Sequence, residues 1–208
     1  MDYDLDSYLR ENFSGLVLGG ALLYSWPIAI RFDLGGRAGT LEDFTEVQRR
    51  ATALFESIFV PGDVCIVVSQ DWPDCDTPHH GQTHLSVLSD FGINQSVGLR
   101  PQDGCIQMQD VDGVGICTLT WFVQAARDFQ YRSILEGIAN ADHARFPALS
   151  GRIYFVNPLT NVIMHMYDDR GLDVIATTKP ALAPLYRDFK SWVLDYDRNR
   201  IGLLFDGQ

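Results

Sequence analysis

Positive charge is scarce in this chain of 208 residues: 16 Lys and Arg stand against 27 Asp and Glu, a formal net charge of −11. Non-specific nucleic-acid binding needs a cationic surface that displaces counterions, so nucleic acid is excluded as a general partner, and anionic membranes are disfavoured for the same reason. Long apolar runs are also missing. None approaches the roughly 18 residues needed to cross a bilayer, and Gly19, Gly20 and Pro27 interrupt the apolar stretch over 15–30. The start, Met1-Asp-Tyr-Asp-Leu-Asp6, is acidic and has no basic segment, so no secretory signal is expected and the predicted location is cytoplasmic.

Four cysteines (Cys65, Cys75, Cys105 and Cys117) form no Cys-x-x-Cys pair. Cys65 and Cys117 lie in apolar, strand-like runs, where a thiol behaves as a small buried hydrophobe. The expectation is a reducing compartment without a disulfide framework. No internal repeat or low-complexity tract is present. At 46% hydrophobic and 21% charged residues the chain is too apolar for disorder, and its length suits one well-buried core.

What is present reads as alternating helices and strands. Leu5, Tyr8, Leu9 and Phe13 fall on one face of a short helix over 4–13 that Gly15 can close. Residues 26–34 form a strand whose Pro27 places it near an edge or an end. Thr40 caps a helix over 41–59 with a buried stripe of Leu41, Phe44, Val47, Ala51, Leu54, Phe55 and Ile58. A central strand covers 63–69, and 85–91 is apolar but ambiguous. Residues 92–104 read as a surface connection, the best boundary if the single domain 1–208 has sub-lobes 1–92 and 105–208. A strand over 114–123 and a helix over 127–141 follow.

The clearest region is the last quarter. Strands at 152–157, 162–167 and 172–176 are joined by Asn157-Pro-Leu-Thr-Asn161 and by Asp168-Asp-Arg-Gly171, with Gly171 expected in the left-handed region. A helix over 182–198 carries Leu182, Leu185, Phe189, Trp192 and Val193 onto the sheet. Consecutive strands without crossover helices imply antiparallel pairing. The predicted class is α+β: a mostly antiparallel sheet with helices packed on it, and a C-terminal three-stranded meander capped by a helix.

Three blocks, Ile153–Asn157, His165–Ala176 and Leu185–Arg198, with Tyr24-Ser-Trp26 and Ile30–Gly35 more loosely, closely resemble one bacterial family, domain of unknown function 3885. The family carries no activity to transfer. The resemblance implies a shared fold and a bacterial cytoplasmic origin. Residues 70–125 depart most from it.

Four stretches could carry chemistry. Gly35-Gly-Arg-Ala-Gly-Thr40 joins a strand to a helix, the usual place of a phosphate loop. It lacks the Gly-Lys-Ser/Thr ending, and Glu42 and Asp43 would repel phosphate, so a turn into a capped helix is the expectation. Residues 71–84 gather Cys75, His79, His80, His84 and three aspartates, the ligand types of a zinc site, but at no known zinc spacing. His165 stands beside Tyr167, Asp168, Asp169 and Arg170, where turn capping and a core histidine are the simpler reading. Trp192 and Tyr196 flank Asp195 and Asp197; if exposed, aromatics beside carboxylates make a protein-binding face.

The function expected is a non-enzymatic protein-binding module, in its most concrete form an immunity protein or antitoxin that occludes a basic toxin. Asp168, Asp169, Arg170, Asp195 and Asp197 are assigned to the binding surface, and no cofactor is expected. The competing class is a metal-dependent hydrolase with Cys75, His79, His80 and His84 as ligands. A third is a module in a homo-oligomer that pairs an edge strand of the C-terminal sheet across a two-fold axis.

Overall fold

A computed structural model describes residues 3–36, 39–71, 84–105, 115–143 and 145–206. Its centre is one sheet of seven strands, β1 (Ala29–Asp33), β2 (Val64–Asp71), β3 (Ser96–Cys105), β4 (Gly115–Ala125), β5 (Arg152–Asn157), β6 (Val162–Met166) and β7 (Gly171–Ala176). The order is β1-β7-β6-β5-β2-β4-β3 and every neighbouring pair is antiparallel. The helices are α1 (Leu5–Asn12), α2 (Leu22–Ser25), α3 (Leu41–Ile58), α4 (His84–Asp90), α5 (Tyr131–Asn140), α6 (Lys179–Asp188) and α7 (Arg198–Phe205). The fold is α+β, with the meander β5-β6-β7 where the turn chemistry places it.

Both faces of the sheet are covered: β2 and β5 are buried except at strand ends, and β6 and β7 are buried at every position. On one face lie α3, α5 and α6. The α3 stripe of Phe44, Val47, Ala51, Leu54, Phe55 and Ile58 is buried, with Phe55 edge-on to Phe155 of β5 at 5.2 Å. Leu41, counted with that stripe in the sequence, is 75% exposed instead. The helix begins with a reciprocal capping box: the Asp43 amide donates to Thr40 Oγ1 and the Thr40 amide donates to the Asp43 carboxylate, both at 3.2 Å. Such a cap contributes about 1 kcal/mol. It also fills the positive end of the helix with the chain's own carboxylate, which removes the phosphate-loop reading.

The N-terminal segment covers the opposite face. Tyr154 Oη donates to the Gly19 carbonyl at 2.8 Å, Gln70 Nε2 to the Leu18 carbonyl at 3.2 Å, and Trp121 Nε1 to the Tyr3 carbonyl at 3.2 Å. Leu5, Leu9, Phe13, Leu18 and Leu22 are sealed beneath it.

Several expectations are corrected. Residues 96–105 are strand β3, paired with β4, and not a surface connection. Strands from the two suggested sub-lobes interleave, since β2 lies between β4 and β5 and β1 pairs with β7. The ambiguous 85–91 is helical. The C-terminal helix is broken: α6 ends at Asp188, two 3-10 turns follow, and α7 starts at Arg198. Between them Val193 bridges to Phe32 and the Leu194 amide donates to the Arg31 carbonyl at 3.0 Å, so β1 captures this stretch in extended form. No strand of the C-terminal meander is an edge. The sheet ends in β1 and β3, which removes the two-fold pairing expected through β5–β7. Cys117 is disulfide-bonded rather than a free thiol, whereas Cys65 is free, and its full burial pushes the thiol up.

Candidate functional site

Four polar side chains line up straight across the sheet. The register sets Arg31 of β1 opposite Asp173 of β7, Asp173 opposite His165 of β6, and His165 opposite Tyr154 of β5. Directly opposed residues share a face about 5 Å apart, so the pairing alone forces a row under the N-terminal cover. Arg31 Nε donates to Asp173 Oδ1 at 2.6 Å and Nη2 to Oδ2 at 2.8 Å. The same carboxylate accepts the Leu23 amide at 3.0 Å. Burial opposes the charge on Arg31, but the Asp173 carboxylate outweighs it and the guanidinium is held more firmly protonated than usual. Tyr24 and Tyr167 lie over the guanidinium at 5.1 and 5.2 Å.

His165 is fully buried and stacks on Tyr154 with ring centroids 4.3 Å apart. Its Nδ1 is 2.9 Å from the Ile153 carbonyl. A carbonyl only accepts, so Nδ1 carries the proton and Nε2 keeps a lone pair, which has no hydrogen-bond partner among the described residues. Burial drives this histidine down to about 4, so it is neutral at physiological pH. The row is buried and ties the N-terminal segment to the sheet, through Asp173 to the Leu23 amide and through Tyr154 to the Gly19 carbonyl. Sequence reasoning missed Arg31, Asp173 and Tyr154, because only long-range register makes them neighbours.

The turn before β7 holds a second polar group. Asp168 Oδ1 accepts the amides of Arg170 at 2.8 Å and Gly171 at 3.2 Å, and its carboxylate is ion-paired with the Arg170 guanidinium. Asp169 Oδ2 is 2.8 Å from His143 Nε2. Asp142, Asp168 and Asp169 bring one carboxylate oxygen each within 4.8 Å of one another, a set able to hold a cation, with the Arg170 guanidinium already paired to Asp168 and the His143 ring against Asp169. Gly171 is not left-handed as expected. Its glycine is required because a Cβ would collide with the Tyr167 hydroxyl.

Of the residues assigned to an anionic exterior, Asp168, Asp169 and Asp197 face inward, at 7%, 4% and 4% exposure. Asp197 sits 4.0 Å from Arg31 and accepts a hydrogen bond from Tyr24 Oη at 3.2 Å. Turn carboxylates next to buried strands are needed inside for backbone amides and for Arg31. Arg170 keeps an exposed side chain, and Asp195 is open, its side chain 90% exposed beside Tyr196 at 86%. Trp192 is half-buried between Phe189 and the guanidinium groups of Arg49 and Arg50.

Of the proposed metal ligands, Cys75, His79 and His80 lie outside the described residues. His84 opens α4 and is buried. Its Nδ1 accepts the Gly151 amide at 3.2 Å, and its Nε2 stands 3.6 Å from Asp71 Oδ1, while Ser69 Oγ donates to Asp71 Oδ2 at 2.8 Å. Among the described residues no helix is long and apolar enough to cross a membrane.

Comparison with known proteins agrees with this picture of an architecture without an assigned chemistry. The chain is similar to the uncharacterized protein YnaE of Bacillus subtilis (strain 168), 33% identical over 212 residues that span 93% of this chain and 98% of the relative. No solved structure matches it. The model of the domain of unknown function DUF3885 matches residues 5–197, which takes in the whole seven-stranded sheet together with α1 to α6, and the chain belongs to that family.

Proposed function

We propose that this protein is a non-enzymatic binding module that captures a basic protein partner, in its most concrete form as an immunity protein or antitoxin occluding a toxin's cationic surface. The observation that carries this reading is the Asp195–Tyr196 pair. Tyr196 is the most exposed large hydrophobic residue described, and Asp195 is open beside it. The turn that presents them is anchored from behind, by Asp197 against Arg31 and Tyr24, and by Arg198, which donates to the Val193 carbonyl at 2.7 Å and to Asp195 at 2.7 Å. A rigid, exposed aromatic next to a carboxylate suits a protein contact, because tyrosine gives large area at low entropic cost. The net charge of −11 favours fast encounter with a cationic partner. The buried polar groups support the same reading: Arg31, Asp173, His165 and Tyr154 are committed to holding the fold together.

The test is co-expression with a secreted basic toxin domain encoded by a neighbouring gene, followed by titration of the purified pair. Protection of the cells is expected, with a salt-dependent association rate, and binding weakened tenfold or more, about 1.4 kcal/mol, by Tyr196→Ala or Asp195→Lys. Unprotected cells, or a complex indifferent to both substitutions, would overturn it.

A further inference from the structure

The start of β1, the start of α6 and helix α7 enclose a cavity of about 260 Å³. Its wall is apolar, made by Pro27, Ile201, Leu203 and Leu204, and Leu203 is 80% exposed. The β1 backbone offers nothing to an occupant. Ala29, which also lines the cavity, is 3% exposed, and Val193 and Leu194 occupy the neighbouring strand edge at Phe32 and Arg31.

Lys179 and Arg200, both exposed residues, line the same cavity. Neither has an ion-pair partner among the described residues, although the chain as a whole is strongly acidic; Arg187, Lys190 and Arg198 nearby in the chain are each paired with a carboxylate. Arg200 is held in place by its Nη2 bond to the Leu23 carbonyl at 3.0 Å and by the Tyr24 ring at 5.3 Å. A guanidinium carries five N–H donors, so donors remain for a ligand, and little side-chain freedom is left to lose on binding.

These features select their complement. Two uncompensated cations call for an anion, and the leucine and proline wall calls for hydrocarbon. The volume lies just below the roughly 300–1,000 Å³ of ordinary ligand pockets, so the occupant is small. A peptide chain does not suit the site, because its N–H and C=O groups would lie unpaired against that wall. We infer that the cavity binds a small amphiphilic carboxylate, of the class of the short fatty acids. Its head group lies between Lys179 and Arg200, and its tail rests on Leu203 and Leu204. The site does not rest on the Asp195–Tyr196 reading and is tested apart from it.

The probe is sodium octanoate, kept below its micelle concentration, titrated into the full chain and read by NMR. Saturable shifts of the Leu203 and Leu204 methyl groups are expected. Across butanoate, hexanoate and octanoate the affinity is expected to rise by up to about fourfold per methylene, 0.8 kcal/mol, levelling off once the tail fills the cavity. Lys179→Glu is expected to weaken octanoate about fivefold, the scale of an exposed charge pair, and Leu203→Asp to weaken it further. Both positions are exposed, and a glutamate in the first turn of α6 suits the helix dipole, so unchanged urea midpoints are expected for the two variants. Unmoved methyl signals, equal affinity for octylammonium, a flat series from butanoate to octanoate, or indifference to Lys179→Glu each overturns the proposal. So does tighter binding of the peptide Gly-Gly-Gly-Leu than of octanoate, since the occupant would then be the C-terminus of a protein.

Discussion

The guanidinium of Arg31 lies in a bidentate pair on the carboxylate of Asp173, at 2.6 and 2.8 Å, joining the edge strand β1 to its neighbour β7 beneath the N-terminal cover. Asp173 has no solvent exposure and Arg31 very little. Removing one partner leaves the other charge buried and alone, so Asp173→Leu and Arg31→Met are each expected to destabilise the protein by about 3–5 kcal/mol. An Arg31→Met, Asp173→Leu double variant removes both charges, and most of that loss is expected to return. Urea unfolding of the four proteins closes the cycle; a double variant no better than the sum of the singles would refute the account.

His165 makes stability depend on acidity. Its folded value, about 4, lies below the ordinary histidine value of 6.5 because burial disfavours the imidazolium. Between those values the unfolded chain binds a proton that the folded one excludes, so stability rises with pH through this window. The contribution is fully present above about pH 6.5 and is lost as pH falls toward 4. The expected loss is about 3 kcal/mol. His165→Leu has no proton to take up, and its unfolding free energy is expected to be flatter between pH 6.5 and 4 by about that amount. Equal slopes for the two proteins would show that the imidazole is not the group responsible.

Two glycines separate close approach from mere permissiveness. A Cβ at Gly171 meets the Tyr167 hydroxyl, whereas one at Gly62 meets nothing within 4 Å. Gly171→Ala is expected to cost about 1–3 kcal/mol by overpacking, and Tyr167→Phe in the same chain to restore part of it. Gly62→Ala is expected to raise stability by about 0.5 kcal/mol, through the lower entropy of the unfolded chain. Thermal melts of the three variants and the parent protein suffice.

The hydrolase alternative has a direct check. For a binding module, elemental analysis of the protein purified without chelator is expected to find less than about 0.1 equivalent of zinc, manganese or iron, because a tight site built from three or four ligands would retain its ion. A stoichiometric metal that disappears in a His84→Ala variant, and also in a His79→Ala variant, would move the function to the 71–84 segment.

The sequence by itself determined the local elements, because their signals are short-range. The period of Phe44, Val47, Ala51, Leu54, Phe55 and Ile58 and the cap at Thr40 specify α3. The strand lengths and the turns at Asn157 and Asp168 specify the β5-β6-β7 meander. It also determined the acidic balance, which needs no fold. Where the polar groups ended up was decided by tertiary structure. Asp168, Asp169, Asp173 and Asp197 look alike in sequence, yet all four are inside. A buried carboxylate is tolerated only where polar partners meet it; Asp168 finds them within its own turn, at Arg170 and Gly171, but those of Asp169, Asp173 and Asp197 arrive from His143, Leu23, Arg31 and Tyr24, far away along the chain. The same cause broke the C-terminal helix: an open edge at β1 took Val193 and Leu194 as an extended partner and overrode a helical pattern. Local propensity is a fraction of a kcal/mol per residue, and an unpaired strand edge or buried charge is several times that, so the long-range demand prevailed wherever the two conflicted.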